Sequence, residues 1–470
     1  MRDPPNTSRI APTLPSGDHL LSEYVQKPVP VMAYVVALIA VALVFFPAYL
    51  DVFNWDGVRF LGSFEVALAV MFGAVGLALL SFIVESVRHG KNASKLHVRV
   101  EVNGSRGKTT TVHLIGAGLR TRYRTLDKTT GKSEALLSLT DDHKPDPQLE
   151  NSVFLQRFGP PRITEQLKVM KVAAEMGCEA FVVETMALNP KYAQVCSRKI
   201  IRPTIEVITN AMADHLDIQG PTVKDVARSL CATIPKNGIV VSAEKRYRSV
   251  IEEAARNRNA KVIFVDVEQV PDEYLEGFTF PVFKENLAVA LKVCELAGVP
   301  PKEALEGMLR AGQDPGTLRT YEHHLGNNVF YCVNACGVND PESTLRVYDS
   351  MAKGGYFQGR RVIGFFHARP DRVVRSVQFG QAVMSMHFDR IFVAGGFTKH
   401  FVRNAIAAGY PRENIADLAD ASTSEILRFI ESVGEKDRPT VIFGFGNMIG
   451  LEDMVEYLEK NANLIPVSLA

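Results

Sequence analysis

Two long uncharged runs, residues 28–50 and 66–84, stand near the start of the chain and differ from everything after them. At a rise of about 1.5 Å per residue, each can cross a hydrocarbon layer of about 30 Å, so together they predict a transmembrane helical hairpin. Pro47, Gly73 and Gly76 are compatible with this, because membrane helices tolerate such residues. From about residue 92 the pattern changes to short apolar runs alternating with longer amphipathic segments. Residues 96–102, 180–183, 205–209, 239–242, 261–265, 330–333, 362–366, 390–393 and 441–443 read as strands. Residues 222–234, 285–296 and 424–433 read as helices. Such alternation predicts an α/β fold with a mostly parallel sheet and helices on both faces.

Breaks in the pattern divide the chain. Residues 1–27, rich in Pro, Ser and charge, read as a flexible tail, and 28–84 as the two spans. Gly, Asp and Pro at 312–317 interrupt a helical pattern, which separates a central domain over 92–312 from a smaller C-terminal domain over 316–470. Arg2, Arg9 and Lys27 precede the first span and Arg88, Lys91, Lys95 and Arg99 follow the second, whereas the connection 51–65 holds only Arg59. Both ends are therefore expected on the cytoplasmic side of the cell membrane, with Tyr49, Trp55 and Phe60 as interfacial anchors.

Composition narrows the choice of partner. With 53 basic and 52 acidic residues in 470, the net charge of +1 gives no nucleic-acid-binding surface. The six cysteines, at 178, 196, 231, 294, 332 and 336, show no C-x-x-C spacing, which argues against a zinc site or a disulfide framework.

The strongest chemical signal is Asn103-Gly104-Ser105-Arg106-Gly107-Lys108-Thr109-Thr110-Thr111, placed directly after the first strand. Gly104 and Gly107 let backbone N–H groups approach phosphate oxygens, and the following helix start adds partial positive charge. Lys108 can then reach the terminal phosphates of ATP, and Thr109 can place a hydroxyl on Mg2+. Val102 stands where the usual P-loop has its first glycine, so only the shorter G-x-x-G-K-T is present. Glu184 ends an apolar strand, a position from which it can hold the nucleotide's Mg2+. Past the next strand come Asn210 and then Asp214-His215-Leu216-Asp217, where His215 suits a metal ligand or a substrate contact.

Taken with Asn286 at a helix start and Arg319 after the interdomain break, these residues resemble the Mur ligase family of amide-forming enzymes. Within it the likeness is greatest to the ligase subunits of poly-γ-glutamate synthases, carried by DKTTGK at 127–132, ETMALNPKY at 184–192, DHLDIQGPT, CATIPKNG, DPGTLR and NDPEST at 339–344. The resemblance implies a central P-loop ATPase domain followed by a Rossmann-like C-terminal domain. It implies that Gly104, Ser105, Arg106, Gly107, Lys108, Thr109 and Thr110 bind ATP, and that Thr109, Glu184 and His215 arrange Mg2+. Lys108, Glu184 and His215 would then be the catalytic set, while Asn286 and Arg319 contact the nucleotide. Arg369, Asp371 and Arg372 in HARPDR would recognise a carboxylate substrate.

The implied reaction activates a carboxylate as an acyl phosphate for attack by an amine, with glutamate and a growing poly-γ-glutamate chain as substrates. The implied partners are the membrane and small membrane subunits of a synthase and export complex, and a homo-oligomer is left open. Two departures from the wider family stand out. The N-terminal domain that binds a UDP-linked precursor is replaced by the hairpin, and the family's DYAHNP-like segment is replaced by Val333-Asn334-Ala335-Cys336. For the carbamylated lysine used by many members, Lys191 is the nearest candidate. Two other functions stay open: a folylpolyglutamate-synthase-like ligase with a small soluble acceptor, and a membrane-anchored P-loop NTPase that drives transport. A transport NTPase should keep the glycine that Val102 replaces and should end a strand in paired acids.

Overall fold

The computed structural model describes residues 64–465, except 131–133, 140–151, 157–161, 279–281, 311–317, 326–327, 339, 436–437 and 449. The expected tail, the first uncharged run and the interdomain break at 312–317 thus lie outside the described residues.

Helix α1 (Phe64–Lys95) contains the second uncharged run and continues past it without a break. Its stretch Met71–Lys95 is long and apolar enough to cross a membrane, and no other described helix is. Phe72, Leu77, Phe82 and Ile83 are exposed along it. The far end of α1 is docked on the central domain. There the His89 imidazole donates to the Ile200 carbonyl at 2.7 Å, and Ala93 joins Leu96, Met170 and Phe181 in a buried cluster.

Eight strands form the central sheet: β1 (Val98–Asn103), β2 (Thr125–Lys128), β3 (Glu134–Leu139), β4 (Ser152–Gln156), β5 (Ala180–Glu184), β6 (Ile205–Ile208), β7 (Ile239–Ser242) and β8 (Lys261–Phe264). Their order is 4-3-2-5-1-6-7-8, parallel from β2 to β8, with β3 and β4 added antiparallel. Side chains alternate along a strand, so β1 sends Val100 and Val102 to one face and Glu101 and Asn103 to the other. Helices α2 (Lys108–Leu119), α3 (Glu165–Glu175), α4 (Val223–Leu230) and α5 (Lys284–Leu296) cover the two faces. On the first face, Val112 and Ile115 of α2 and Leu287 and Leu291 of α5 pack on Val100, Val102, Val182 and Val207. Each such residue, once buried, contributes roughly 1.5–3 kcal/mol.

The second sheet holds β9 (Arg319–Leu325), β10 (Asn328–Asn334), β11 (Arg361–Ala368), β12 (Arg390–Gly395), β13 (Ile415–Asp417), β14 (Thr440–Gly446) and β15 (Asn463–Ile465), in the order 13-12-11-14-10-9-15. Its first five members are parallel, and β9 and β15 close one edge antiparallel. Phe366, Phe443 and Phe445 of the sheet form an aromatic core with Phe379 of α7 (Val373–Ala382) and Phe401 of the helix Lys399–Ala407, and α6 (Pro341–Lys353) packs into the same cluster.

Strands with unbroken apolar runs fall where the hydrophobic pattern places them. Six strands lie outside those runs: β3, β4, the short β13 and β15, and two that are polar in sequence, β2 (TLDK) and β9 (RTYEHHL). In β2 the polar side chains are buried in pairs: Asp127 with His113 and Arg120, and Lys128 with Glu165. In β9 the antiparallel edge position supplies the reason, since one flank pairs with β10 and the other only with the short β15.

Candidate active site

Phosphate-loop geometry follows from two glycines. Gly104 has φ +136° and Gly107 has φ +79°, a region where side chains are strained. A Cβ on Gly107 would lie 2.7–2.8 Å from the Asn286 amide atoms, so α5 closes over the loop only because that Cβ is missing. The segment after β6 holds the other side. Asn210 Oδ1 accepts from Arg106 N at 3.0 Å, Asn210 O accepts from Ser105 N at 3.0 Å, and Ser105 Oγ accepts from Met212 N at 3.0 Å. Helix α2 then starts at Lys108 with Gly107 as its cap and no side-chain capping bond. Its first N–H groups stay available to an anion.

Lys108 is half-buried, and its ammonium is held by the carbonyls of Gly104 at 2.9 Å and Ser105 at 3.5 Å. No carboxylate lies within ion-pair distance of it among the described residues, and burial lowers its pKa, with Glu184 opposing. A half-buried cation resting on neutral oxygens fits a group that waits for phosphate. Next to it, Thr109 Oγ1 donates to Glu184 Oε2 at 3.0 Å, and Thr130 N donates to the same oxygen at 3.1 Å. Thr110 is half-buried in the first turn of α2.

Among the described residues, no group of three or more His, Cys, Asp or Glu could hold a metal. Protein donors at Thr109 and Glu184 are therefore few, which suits Mg2+, an ion that keeps several waters and takes phosphate oxygens.

His215 lies on the Arg106 side of the loop. It adopts φ +46°, sits 3.7 Å from Asp214, and has its pKa lowered chiefly by burial and by Arg372, which keeps it neutral. Arg106 itself joins the two sheets: Nη1 bonds Asp214 at 3.0 Å and Nε bonds Asp340. Asp340 also caps α6, accepting from Ser343 N at 2.9 Å. A second bridge lies nearby, where Arg346 of α6 pairs with Glu285 at 3.0 Å and covers the Phe283 ring. Replacing Asp340 with asparagine keeps the cap and removes the charge, so kcat/KM is expected to fall about tenfold, roughly 1–2 kcal/mol, with melting temperature nearly unchanged. Steady-state kinetics beside a thermal melt checks this.

The fold thus brings the loop, Lys108, Thr109, Glu184 and Asn286 together, with His215 and Arg372 on the Arg106 flank. Arg319 is engaged elsewhere, at the start of β9, where it pairs with Glu459 at 2.7 Å. Arg369 and Asp371 hold each other by two bonds, at 2.9 and 2.7 Å. Arg375 was missed by the sequence reading. It donates to Asn447 Oδ1 at 2.8 Å, and burial together with Arg372 and Arg106 lowers its pKa to about 10. Its position three residues after Arg372 at the start of α7 was the available signal.

Comparison with known proteins gives two family matches and two relatives. The family described as "Mur ligase middle domain" matches residues 102–289, and the one described as "Poly-gamma-glutamate synthase CapB C-terminal domain" matches residues 320–461. A "Capsule biosynthesis protein CapB" of Bacillus anthracis is 34% identical over 390 residues, covering 82% of each chain. A "PGA synthase CapB" of Bacillus subtilis (strain 168) is 33% identical over 391 residues, covering 82% of this chain and 96% of that one. The chain belongs to the CapB family.

Solved structures of folylpolyglutamate synthases share the fold. A Yersinia pestis bifunctional folylpolyglutamate synthase/dihydrofolate synthase complexed with AMPPNP and Mn ion has TM-score 0.58 at 15% identity, covering 80% of this chain and 93% of that chain. A Mycobacterium tuberculosis folylpolyglutamate synthase complexed with ADP has TM-score 0.58 at 16% identity, covering 82% and 95%. One departure from the wider family and the candidate for a carbamylated lysine can be located. Val333 and Asn334 end β10 and Cys336 is buried just beyond, while Lys191 stands exposed at the start of the short helix Pro190–Val195.

Proposed function

We propose that this CapB-family chain is an ATP-dependent amide ligase that joins glutamate units through γ-linkages. The observation that carries the reading is the half-buried Lys108, resting on loop carbonyls beside the Thr109–Glu184 pair, in a chain that matches a PGA synthase over 82% of its length. A γ-carboxylate oxygen attacks the terminal phosphorus of ATP, the bond to ADP breaks, and an acyl phosphate results. The amine of the next unit attacks the acyl carbon and loses a proton, and inorganic phosphate leaves.

Lys108 and the loop N–H groups, from Gly104 to Thr110, offset charge on the transferring group. Thr109, Glu184 and His215 would hold Mg2+, which supplies further neutralisation when bound. Asn286 would close over the nucleotide from α5, and Arg319 would meet it from the C-terminal domain on closure. Arg106, held on Asp340, couples the loop to that domain, so closure excludes the water that would hydrolyse the intermediate. Arg372, together with the Arg369–Asp371 pair, would receive the carboxylates of the growing chain.

The division into a central domain over 92–312 and a C-terminal domain over 316–470 belongs to the same proposal. So does a two-span anchor, with 28–50 as the first span and 66–84, within α1, as the second, both ends cytoplasmic. The exposed apolar length of α1 supports the anchor and disfavours a small soluble acceptor. Small membrane subunits would complete the assembly at the export point.

The test supplies labelled glutamate and ATP to membranes bearing the chain. Label is expected in a protease-resistant, isopeptide-linked polymer, with ADP release dependent on glutamate. Equal ATP hydrolysis with and without glutamate, and no polymer, would overturn the ligase reading in favour of a transport NTPase.

A further inference from the structure

Glu101 and Glu206 are direct register partners on β1 and β6, at the centre of the sheet and just beneath the phosphate loop. Both are fully buried, at 0% exposure. They lie on the face opposite Val100, Val102, Ile205 and Val207, between the cluster of Phe181, Val183 and Cys196 and that of Ile208, Leu230 and Cys231. Strands of a parallel sheet covered on both faces are normally apolar throughout, and two ionised carboxylates at such a spot repel each other in a low-dielectric setting.

One oxygen of each acid is held. Thr185 Oγ1 donates to Glu101 Oε1 at 3.1 Å, and Thr233 Oγ1 donates to Glu206 Oε1 at 2.5 Å. The other oxygen, Oε2 in both, is buried without a hydrogen-bond partner. No cation ion-pairs with either acid among the described residues. Lys128 is taken by Glu165 at 2.8 Å, and burial pushes the thiols of Cys196 and Cys231 upward, so they stay neutral. A single proton held between register partners on one face satisfies both orphan oxygens and removes one charge.

The pair also reaches the nucleotide site from two sides. Thr233 Oγ1 accepts from Asn103 Nδ2 at 3.1 Å, and Asn103 Oδ1 accepts from Gly104 N at 2.8 Å, at the first residue of the loop. Thr185, on Glu101, follows Glu184 in the chain, and its N–H is fixed to the Val102 carbonyl at 2.9 Å. We propose that Glu101 and Glu206 share one proton and act as a positioning pair that keeps the two edges of the phosphate cradle in register.

Burial raises both acids, Glu101 to about 7 and Glu206 well above the carboxylate range, with the Glu101 charge adding to the latter. In the unfolded chain both would ionise near 4.3 on the ordinary scale of about that value. Between that pH and the folded values the native state binds more protons than the unfolded state, so stability falls as pH rises through this window and levels off above it. Loss of the shared proton sets two charges side by side on β1 and β6, and the strain passes through Thr233 and Asn103 to Gly104.

The test uses the full chain in detergent and needs only the loop's role as a nucleotide cradle for its binding arm. Infrared difference spectra between wild type and Glu206→Gln should show a protonated-carboxyl band at pH 7 in the wild type that the variant lacks. Glutamine offers Glu101 an N–H in place of the proton, so the fall in melting temperature from pH 5 to 9 should flatten. ADP affinity should fall about tenfold from pH 7 to 9 in the wild type and hold steady in the variant. Absence of the band, or equal pH slopes in both proteins, would overturn the proposal. If Glu206→Gln does not fold, Glu101→Gln replaces it; if neither folds, the pH titration of the wild-type band decides. Polymer synthesis plays no part in these readouts, so failure of the ligase reading is told apart from failure of this one.

Discussion

Replacing Lys108 with alanine is expected to lower polymer synthesis on the order of 10²–10³-fold or more, the usual scale when one preorganised charge donor is removed from a transfer site. The ammonium sits on the Gly104 and Ser105 carbonyls, in the crook of the loop, and nothing else cationic on α2 can take its place. Arginine should not rescue it, because a planar fork does not fit a site built for a compact charge. The stability outcome runs the other way. Burial lowers the Lys108 pKa in the folded protein, so at neutral pH its charge is a cost to folding. Lys108→Ala should therefore melt no lower than wild type, and single-turnover ADP formation measured beside a thermal melt separates lost chemistry from lost fold. A variant that still makes polymer would remove the loop from the reaction.

Alanine at Gly104 is expected to cost on the order of 2–4 kcal/mol, combining backbone strain with overpacking. The position has φ +136°, and a Cβ there would fall 1.9 Å from Thr209 Oγ1 and 3.0 Å from Thr209 N. Thr209 cannot swing aside freely, because its hydroxyl lies 2.7 Å from the Arg106 carbonyl and its N–H donates to the Asn103 carbonyl at 3.0 Å. Relief must come from moving the loop off β6, which takes Arg106 and the cradle N–H groups with it. Gly177→Ala is the matched control. Gly177 has φ +74° but open space around its missing Cβ, so strain alone applies, about 1 kcal/mol. Denaturant midpoints should rank wild type, Gly177→Ala and Gly104→Ala in falling order, and only Gly104→Ala should lose nucleotide binding.

Much of the candidate site was legible because its parts are local. Gly104 to Thr109 form one turn between a strand and a helix, and Glu184 ends an apolar strand, so spacing put both at strand carboxyl ends, while the tertiary structure set those strands side by side. Contacts made across long stretches of sequence were not legible. Thr130 on Glu184, Asp340 on Arg106 and Arg375 on Asn447 join segments that no pattern along the chain links. The polar strand β2 escaped for a related reason, since TLDK has no apolar run and its Asp127 and Lys128 are buried only through their partners His113, Arg120 and Glu165.

Sequence by itself determined the elements whose apolar periodicity is strong, the alternation that makes a parallel sheet, the phosphate loop and the long apolar helix, because each depends on neighbours within a turn or a strand. Tertiary structure alone decided which charges meet. It set Glu101 against Glu206, carried Asp340 to Arg106 and held Arg319 on Glu459, because strand order and domain packing fix these distances and neither is written in local spacing.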